Sequence, residues 1–273
     1  MNNDSRAAAG RLKKEHDRIR YTAYLMIGIV IAVILVSAFR KFWLTLFFIA
    51  AALITQLFLF RRMQKQYVQH AVEENLRAAV CPILNTDRVA AKGEELLSKE
   101  VIRETQLVPV MEQSGAVNIF TGISGYTGTG QKRMEVTTCD VALTKHQLGT
   151  KVSAEILCGN WIHIGLPVKT GYHFLVQENK VRSVTAHDEN EGEPVPEEPL
   201  RLPDRFYALL EKLEDYTTGS LSMTVNDDTA DIFLKDRFLA ANFSARSEVT
   251  VKMIDWNPLP ELEKVLDLVW TLT

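Results

Sequence analysis

The sequence predicts an α+β protein. A transmembrane hairpin of two helices comes first, followed by a helical juxtamembrane segment and a mainly antiparallel β domain with C-terminal helices. Three observations predict this class: two long apolar runs near the start, short strand-like segments between tight turns in the middle, and an amphipathic helical pattern at the end.

The apolar runs span residues 21–39 and 42–60 and contain no Asp, Glu, Lys or Arg. A helix of about 19 residues reaches about 28 Å, close to the ~30 Å hydrocarbon core of a bilayer. A helix in a soluble core would carry a polar face, whereas these runs are apolar all round. Residues 21–60 are therefore predicted to form a transmembrane helical hairpin in a lipid bilayer.

Basic residues predict the orientation of this hairpin. Residues 1–20 form a basic segment and residues 61–65 carry three more basic side chains, whereas only Arg40 and Lys41 separate the two runs. Because positive residues favour the cytoplasmic side, both termini are expected in the cytoplasm. The chain is thus predicted to be a multi-pass protein of the inner (plasma) membrane.

Charge divides the chain into two parts. Residues 1–80 carry 12 basic and 5 acidic residues, and residues 81–273 carry 19 basic and 29 acidic ones. An acidic domain binds nucleic acid poorly, because neutralisation of phosphate supplies most of that affinity. Nucleic acid is therefore not an expected partner.

A juxtamembrane helical segment is predicted over residues 61–106. The second helix is expected to continue to about Leu84, because apolar residues recur every four positions up to Val80, and to end near Pro82. A further amphipathic helix is expected from about Thr86 to Gln106. A stalk, a dimerising coiled coil and helices packed on the following domain remain open, so a homo-oligomer is one alternative.

Residues 107–273 are predicted to form a cytoplasmic α+β domain. Its first part reads as an antiparallel meander, with Gly159-Asn160 as a hairpin turn. In the second strand the alternation slips between Val136 and Val141, which predicts a bulge. The expected strands are 117–121, 133–143, 151–158, 161–168, 171–177 and 181–186.

The remainder of this domain is predicted to begin with an acidic, Pro-rich surface loop at 187–203. A short helix, a β-hairpin, a strand and a C-terminal amphipathic helix follow. These elements are expected at 205–213, 221–225 with 229–234, 248–253 and 261–272.

The glycine-rich segment from Gly122 to Gly130 invites comparison with a phosphate-binding loop. Gly125 and Gly130 have the required spacing, but Gln131 stands where that loop needs lysine. The residues that follow are strand-like, so no helix N-terminus would meet a phosphate. Tight β-turns are the favoured interpretation.

Other candidate chemistry is weak. His146, His163 and His173, together with Cys139 and Cys158, show no metal-ligand spacing. The three cysteines, which include Cys81, form no CxxC pair and are expected to be reduced. Ser124 lacks a nucleophile elbow, and the acid pairs Asp227–Asp228 and Glu197–Glu198 fall in loops. No catalytic, cofactor-binding or metal-binding residue is predicted, and no cofactor is expected.

The order of parts resembles the bacterial two-transmembrane proteins of domain-of-unknown-function family 3137. The resemblance rests on the early hairpin and on the stretches SKEVIRETQLV, SGAVNIFTGISGYTGTGQKRMEVTTCDVAL, ILCGNWIHIGLP, LPDRFYALLEKLEDYTTGSLSMTVNDDTADIFL and ELEKVLDLVWTL. It covers nearly the whole chain. It implies a membrane hairpin with a cytoplasmic domain and carries over no catalytic or ligand residue.

Three functions remain open. The preferred one is a membrane-anchored interaction or regulatory module that holds an acidic domain at the cytoplasmic face for one or more protein partners. The alternative is a membrane-bound enzyme or small-ligand sensor with a pocket between the meander and the helices, near Gly122–Lys132. The third is an oligomeric conduit lined by Thr55 and Gln56, although an interhelical hydrogen bond is the favoured role of Gln56.

Overall fold

The computed structural model describes residues 3–37, 42–86, 88–105, 107, 116–130, 133–146, 153–177, 180–183, 200–217, 221–240 and 243–273. These residues form two compact units. Residues 1–78 and Asn242–Trp256 make up the first, here called the hairpin unit. Residues 79–241 and Asn257–Thr273 make up the second, here called the sheet unit.

The described residues contain six helices and one antiparallel sheet of eight strands, so the predicted α+β class is confirmed. In chain order the elements are α1 (Asn3–Ser37), α2 (Phe42–Ala79), β1 (Val89–Ala90), α3 (Lys99–Glu104), β2 (Ala116–Thr127), β3 (Met134–His146), β4 (Ser153–Gly165), β5 (His173–Gln177), β6 (Lys180–Ser183), α4 (Asp204–Thr217), β7 (Leu221–Asn226), β8 (Thr229–Lys235), α5 (Val251–Ile254) and α6 (Leu262–Trp270).

The hairpin unit is built on the antiparallel packing of α1 against α2. Its core combines Leu12 and Ile19 of α1 with Tyr67 of α2, and Val249 and Ile254 pack against the same cluster. The apolar spacing along α1 places these side chains on one helix face. The unit is therefore a helical hairpin to which the segment 242–256 adds a third layer.

Within the part of the chain that the structure describes, no helix has a stretch long and apolar enough to cross a membrane. The side chains of residues 33–52, which belong to both predicted spans, lie outside that part. The predicted connection at Arg40 and Lys41 lies outside it as well. The second helix does continue past the apolar run, as predicted, and it ends at Ala79, before Pro82.

The sheet unit has the strand order β1-β2-β3-β4-β8-β7-β5-β6. Strands β2, β3 and β4 form a meander, and the hairpin of β7 and β8 lies between β4 and β5. The prediction of this hairpin, with its turn at Asp227 and Asp228, is confirmed. The acidic loop predicted at 187–203 falls mostly outside the described residues.

Both faces of the sheet are covered. On one face, Phe174 of β5 packs edge-on against Phe206 of α4, with ring centroids 5.5 Å apart, and α4 contacts α6. On the other face, Ile102 of α3 joins a core cluster with Trp161 and Phe233. The pattern slip in β3 reflects this double coverage, because residues 136–143 are all buried. Over these residues β3 stays in register with β4, but its pairing with β2 shifts between Val141 and Cys139. An irregularity therefore occurs where the bulge was predicted, and its extra residue lies in β2 rather than in β3.

Three further element predictions are wrong. The segment expected as one helix over 86–106 instead forms β1, a 3-10 turn at Gly93–Glu95 and α3, because Ala90 pairs with Gly122 of β2. The strand expected at 248–253 gives way to the short helix α5. Gly159 and Asn160 lie inside the continuous strand β4 rather than in a turn.

Candidate functional site

A pocket of about 450 Å³ opens in the sheet unit between α3 and the strands β4, β5, β7 and β8. Glu104 and Thr105 line it from the α3 side, and His163, His173 and Asp231 line it from the sheet. The volume falls in the range of about 300–1,000 Å³ that is typical of small-molecule sites. This pocket is the candidate functional site.

Strand register brings the polar side chains of this pocket together. His163 of β4 pairs with Asp231 of β8, and Asp231 pairs in turn with Thr224 of β7. In the next row of the same face, Asn226 pairs with His173 of β5. Directly paired residues of an antiparallel sheet project from the same face. Two rows of polar side chains therefore form the sheet side of the pocket.

Asp231 is the centre of the first row. Its Oδ1 atom accepts a hydrogen bond from the indole Nε1–H of Trp161 at 2.8 Å and contacts Nδ1 of His163 at 2.8 Å. Asp231 is only 5% exposed, and a buried carboxylate needs such partners to be stable. Burial by itself lowers the pKa of His163, but the hydrogen bond and the charge of Asp231, with Glu135, raise it overall.

The second row is held in a similar way. Nδ1 of His173 lies 2.8 Å from Oδ1 of Asn226. The turn beside Asn226 is braced by Asp227, whose carboxylate accepts the backbone N–H of Gly171 and pairs with Lys169. These contacts hold the rim of the pocket in place.

Both imidazoles are thus anchored through Nδ1, which leaves Nε2 as the ring nitrogen available to a ligand. When His163 is protonated, its Nε2–H is a charged donor, whereas neutral His173 with a proton on Nδ1 offers Nε2 as an acceptor. Glu104 adds a carboxylate at the opposite wall. The pocket can therefore recognise a small polar molecule that carries both donors and acceptors.

The His163–Asp231 pair predicts a pH dependence. Because the pKa of His163 is raised in the folded chain, its contribution to stability is fully present below the ordinary histidine value of about 6.5. That contribution is lost as the pH rises through the raised value. We expect thermal unfolding to show this loss above about pH 6.5, and the H163Q variant to lack it. An unchanged pH profile in H163Q would contradict the assignment.

The structure places the other predicted candidates away from this pocket. Gly122 and Gly125 lie inside β2, where a Cβ atom would fall 2.5 Å from Sγ of Cys139 and 2.4 Å from the carbonyl oxygen of Leu84, respectively. Gly130 adopts a positive φ in the turn that follows. Gly122 and Gly125 therefore serve close packing within a strand, so the predicted tight turns are wrong at these two residues. The prediction holds only at the end of the segment, where Gly130 lies in a turn.

The candidate nucleophile Ser124 and the candidate metal ligand Cys139 are hydrogen-bonded and buried, respectively. Ser124 accepts a hydrogen bond from Thr137 at 3.0 Å. Burial raises the pKa of Cys139 to about 12, with a smaller contribution from Asp140, so its thiol stays protonated. The three cysteines are not joined by disulfides.

Of the histidines considered as metal ligands, two lie together in the structure and one lies outside the described side chains. His163 and His173 line the same pocket, whereas the side chain of His146 and the pair Glu197–Glu198 lie outside the described residues. Among the described side chains, no group of three or more His, Cys, Asp or Glu is arranged to hold a metal ion.

Sequence reasoning did not identify Asp231, the residue at the centre of the site. A usable pattern was present, because Asp231 is the single charged residue between Ala230 and Leu234 in an otherwise apolar strand. A carboxylate at such a position requires a partner on a neighbouring strand.

Comparison of the chain with protein-family models, curated proteins and solved structures finds no match. The resemblance to domain-of-unknown-function family 3137 therefore stays a prediction.

Proposed function

We propose that this chain is a membrane-anchored regulatory protein whose sheet unit binds a small polar ligand in the pocket around His163 and Asp231. The observation that carries the ligand part is the pair of imidazoles in one pocket, each anchored through Nδ1. Fixed polar groups in a concave site are typical of small-molecule recognition. This proposal combines the regulatory role preferred from the sequence with the ligand-binding pocket of the alternative function, the small-ligand sensor.

Two features support the membrane anchor. The first is the pair of uncharged apolar runs at 21–39 and 42–60. The second is the surface of the described part of the hairpin, where large apolar side chains are exposed in both helices, among them Tyr21, Ile27, Ile31, Ile54 and Phe58. Soluble monomers rarely expose apolar patches of this extent. A bilayer would cover them.

The ligand proposal is tested by thermal unfolding of the detergent-purified full chain in a screen of small polar metabolites. A ligand present at about 100 times its Kd stabilises the folded chain by about 2.7 kcal/mol. We expect H163Q to abolish the shift produced by any such ligand. The matched control is H70Q, because His70 lies in the hairpin unit and pairs with Glu15 there.

Two outcomes of this screen contradict the proposal. One is a stabilising ligand whose effect survives in H163Q. The other is a ligand whose effect is lost equally in H163Q and H70Q, since the loss would then not arise in the pocket.

The anchor and its orientation are tested in intact cells. A cysteine introduced at Glu263, an exposed position of α6, should react with an impermeant maleimide only after the cells are permeabilised. Labelling without permeabilisation would contradict a cytoplasmic sheet unit. Recovery of the chain in the soluble fraction after cell lysis would contradict the anchor itself.

Partner binding stays part of the proposal. The acidic composition of residues 81–273 favours partners with basic surfaces, and co-purification from membranes without overexpression would identify them.

A homo-oligomer stays a prediction as well. Oε1 of Gln56 is shielded from solvent and accepts no hydrogen bond among the described residues, and Thr55 has no described side chain. The interhelical hydrogen bond favoured for Gln56 is thus not made through Oε1 among the described residues, and the conduit stays a prediction.

A further inference from the structure

The hairpin unit carries a cluster of exposed basic side chains beside its apolar surface. We call this cluster the basic belt; it consists of Arg18, Arg20, Arg61, Arg62 and Lys65. These residues come from both helices but lie at one level of the hairpin. The level follows from the pairing of α1 with α2, since Glu15 contacts His70 at 3.1 Å and His16 stacks on Tyr67 with centroids 5.6 Å apart.

The surface changes character abruptly at the basic belt. On α1, Arg20, Tyr24 and Ile27 are all exposed and follow one another at helical spacing, so they share a face. On α2, Phe58 and Arg62 are related in the same way. In both helices the exposed stripe therefore turns from basic to apolar within about one turn.

Ion pairs of the unit engage three basic residues outside the basic belt, which are Arg11 with Glu74 at 2.7 Å, Lys13 with Glu248 at 3.1 Å and Arg77 with Glu73 at 4.0 Å. Arg6 and Lys14 enter no ion pair among the described residues. No ion pair among the described residues engages Arg61, Arg62 or Lys65. The basic belt therefore presents positive charge that the hairpin unit itself does not neutralise.

We propose that the basic belt binds the phosphate groups of anionic phospholipids in the leaflet that the hairpin enters. This inference rests on the proposed membrane anchor. Arginine recognises phosphate through paired N–H donors, and basic clusters next to an apolar segment are attracted by anionic leaflets. The hydroxyl groups of Tyr21 and Tyr24 suit the same interfacial level. The adjoining apolar surface favours a lipid over a soluble polyanion as the partner.

The test uses the full chain reconstituted in nanodiscs of phosphatidylcholine with a minor fraction of phosphatidylglycerol. Native mass spectrometry of the released protein measures the ratio of the two lipids that stay bound. We expect phosphatidylglycerol to be enriched about tenfold over its share in the nanodisc. The triple variant R61Q/R62Q/K65Q should lose most of this enrichment.

A matched control separates the basic belt from net charge. The triple variant R11Q/K13Q/R77Q also removes three positive charges, but at residues that are paired with Glu74, Glu248 and Glu73. It should keep the enrichment of the unmodified chain. Equal losses in the two variants, or no enrichment in the unmodified chain, would overturn the proposal. So would complete displacement of the lipid by excess inorganic phosphate, because a soluble anion would then suffice.

Failure of the anchor gives a different result. Carbonate extraction of reconstituted vesicles removes peripheral proteins and leaves integral ones. Release of the chain by carbonate would contradict the anchor, and the lipid proposal would fall with it. A chain that stays in the vesicles without enriching phosphatidylglycerol would contradict only the lipid proposal.

Discussion

Replacement of Gly159 by alanine is expected to destabilise the sheet unit more than replacement of Gly165, the other glycine of β4. A Cβ atom at this position would lie 2.2 Å from the carbonyl oxygen of Leu234 in β8, so one of the two backbones must move. Overpacking of this kind costs about 3 kcal/mol. For a unit of this size, that cost lowers the midpoint of thermal unfolding by about 6–12 °C. Tryptophan fluorescence of the purified full chain measures the midpoint, with Trp161 two residues away.

Gly165 provides the matched control at the end of the same strand. A Cβ atom there would meet nothing closer than Cβ of Glu135 at 3.7 Å, which is an ordinary van der Waals contact. We expect G165A to change the unfolding free energy by no more than about 0.5 kcal/mol. A G159A midpoint equal to that of the unmodified chain would contradict the close approach of β4 and β8. Equal losses in both variants would show that strand flexibility matters instead.

Gly159 also shows why part of the fold was not predictable from the sequence. The pair Gly159-Asn160 has the composition of a tight hairpin turn, and nothing in the local sequence distinguishes that role from the observed one. The distinction comes from distant partners. Gly159 allows β8 to approach, and Asn160 is fully buried between Thr138 and Asp140 of β3. Tertiary contacts therefore decided the structure at these two residues.

The segments that were predicted correctly share a different property. Strands β7 and β8 are short apolar runs on either side of a tight turn, and they are buried on both faces. Helix α6 carries an apolar stripe at helical spacing. By contrast, the segment 86–106 shows a helical pattern but does not form one helix. Ala90 pairs with β2, and a Cβ atom on Gly93 would lie 2.4 Å from the carbonyl oxygen of Phe120. Local pattern is sufficient where turn residues or a helical stripe define the element, and it fails at 86–106, where pairing with the distant strand β2 decides the structure.

The candidate site was predictable only in part. His163 and His173 were considered from the sequence as a pair on adjacent strands, and they do line one pocket, although β8 and β7 lie between β4 and β5. The insertion of this hairpin is a long-range event that brings Asp231 next to His163. No spacing rule within the chain encodes that contact, because residues 163 and 231 meet only through the strand order of the sheet.

The second large effect is expected at Asp140, a buried residue on the opposite face of β3. Its carboxylate accepts the backbone N–H groups of Leu239 and Ala240 and the side-chain amide of Asn160. Burial raises the pKa of Asp140 from 3.8 to about 6, against the lowering effect of these three hydrogen bonds. Because the folded chain holds this proton more tightly, the contribution of Asp140 to stability is fully present below about pH 4 and is lost as the pH rises through about 6.

This pH dependence predicts distinct results for two variants. D140N cannot titrate, so it should remove a change of about 2 kcal/mol in unfolding free energy between pH 4 and pH 6. D140A leaves three buried donors without an acceptor and should destabilise the sheet unit by about 3–5 kcal/mol at pH 4. This difference should shrink by about 2 kcal/mol by pH 6, because the unmodified chain loses the contribution of Asp140 over that range. Urea unfolding of the purified chain at several pH values measures both effects.

The exposed Asp267 of α6 supplies the matched control, since D267N removes an equal charge at a solvent-exposed position. This variant should keep the pH profile of the unmodified chain. A D140N profile that also matches the unmodified chain would show that the three donors hold Asp140 ionised throughout this range. The carboxylate would then be a fixed structural anion for the segment at Leu239 and Ala240, and D140A would still be expected to unfold early.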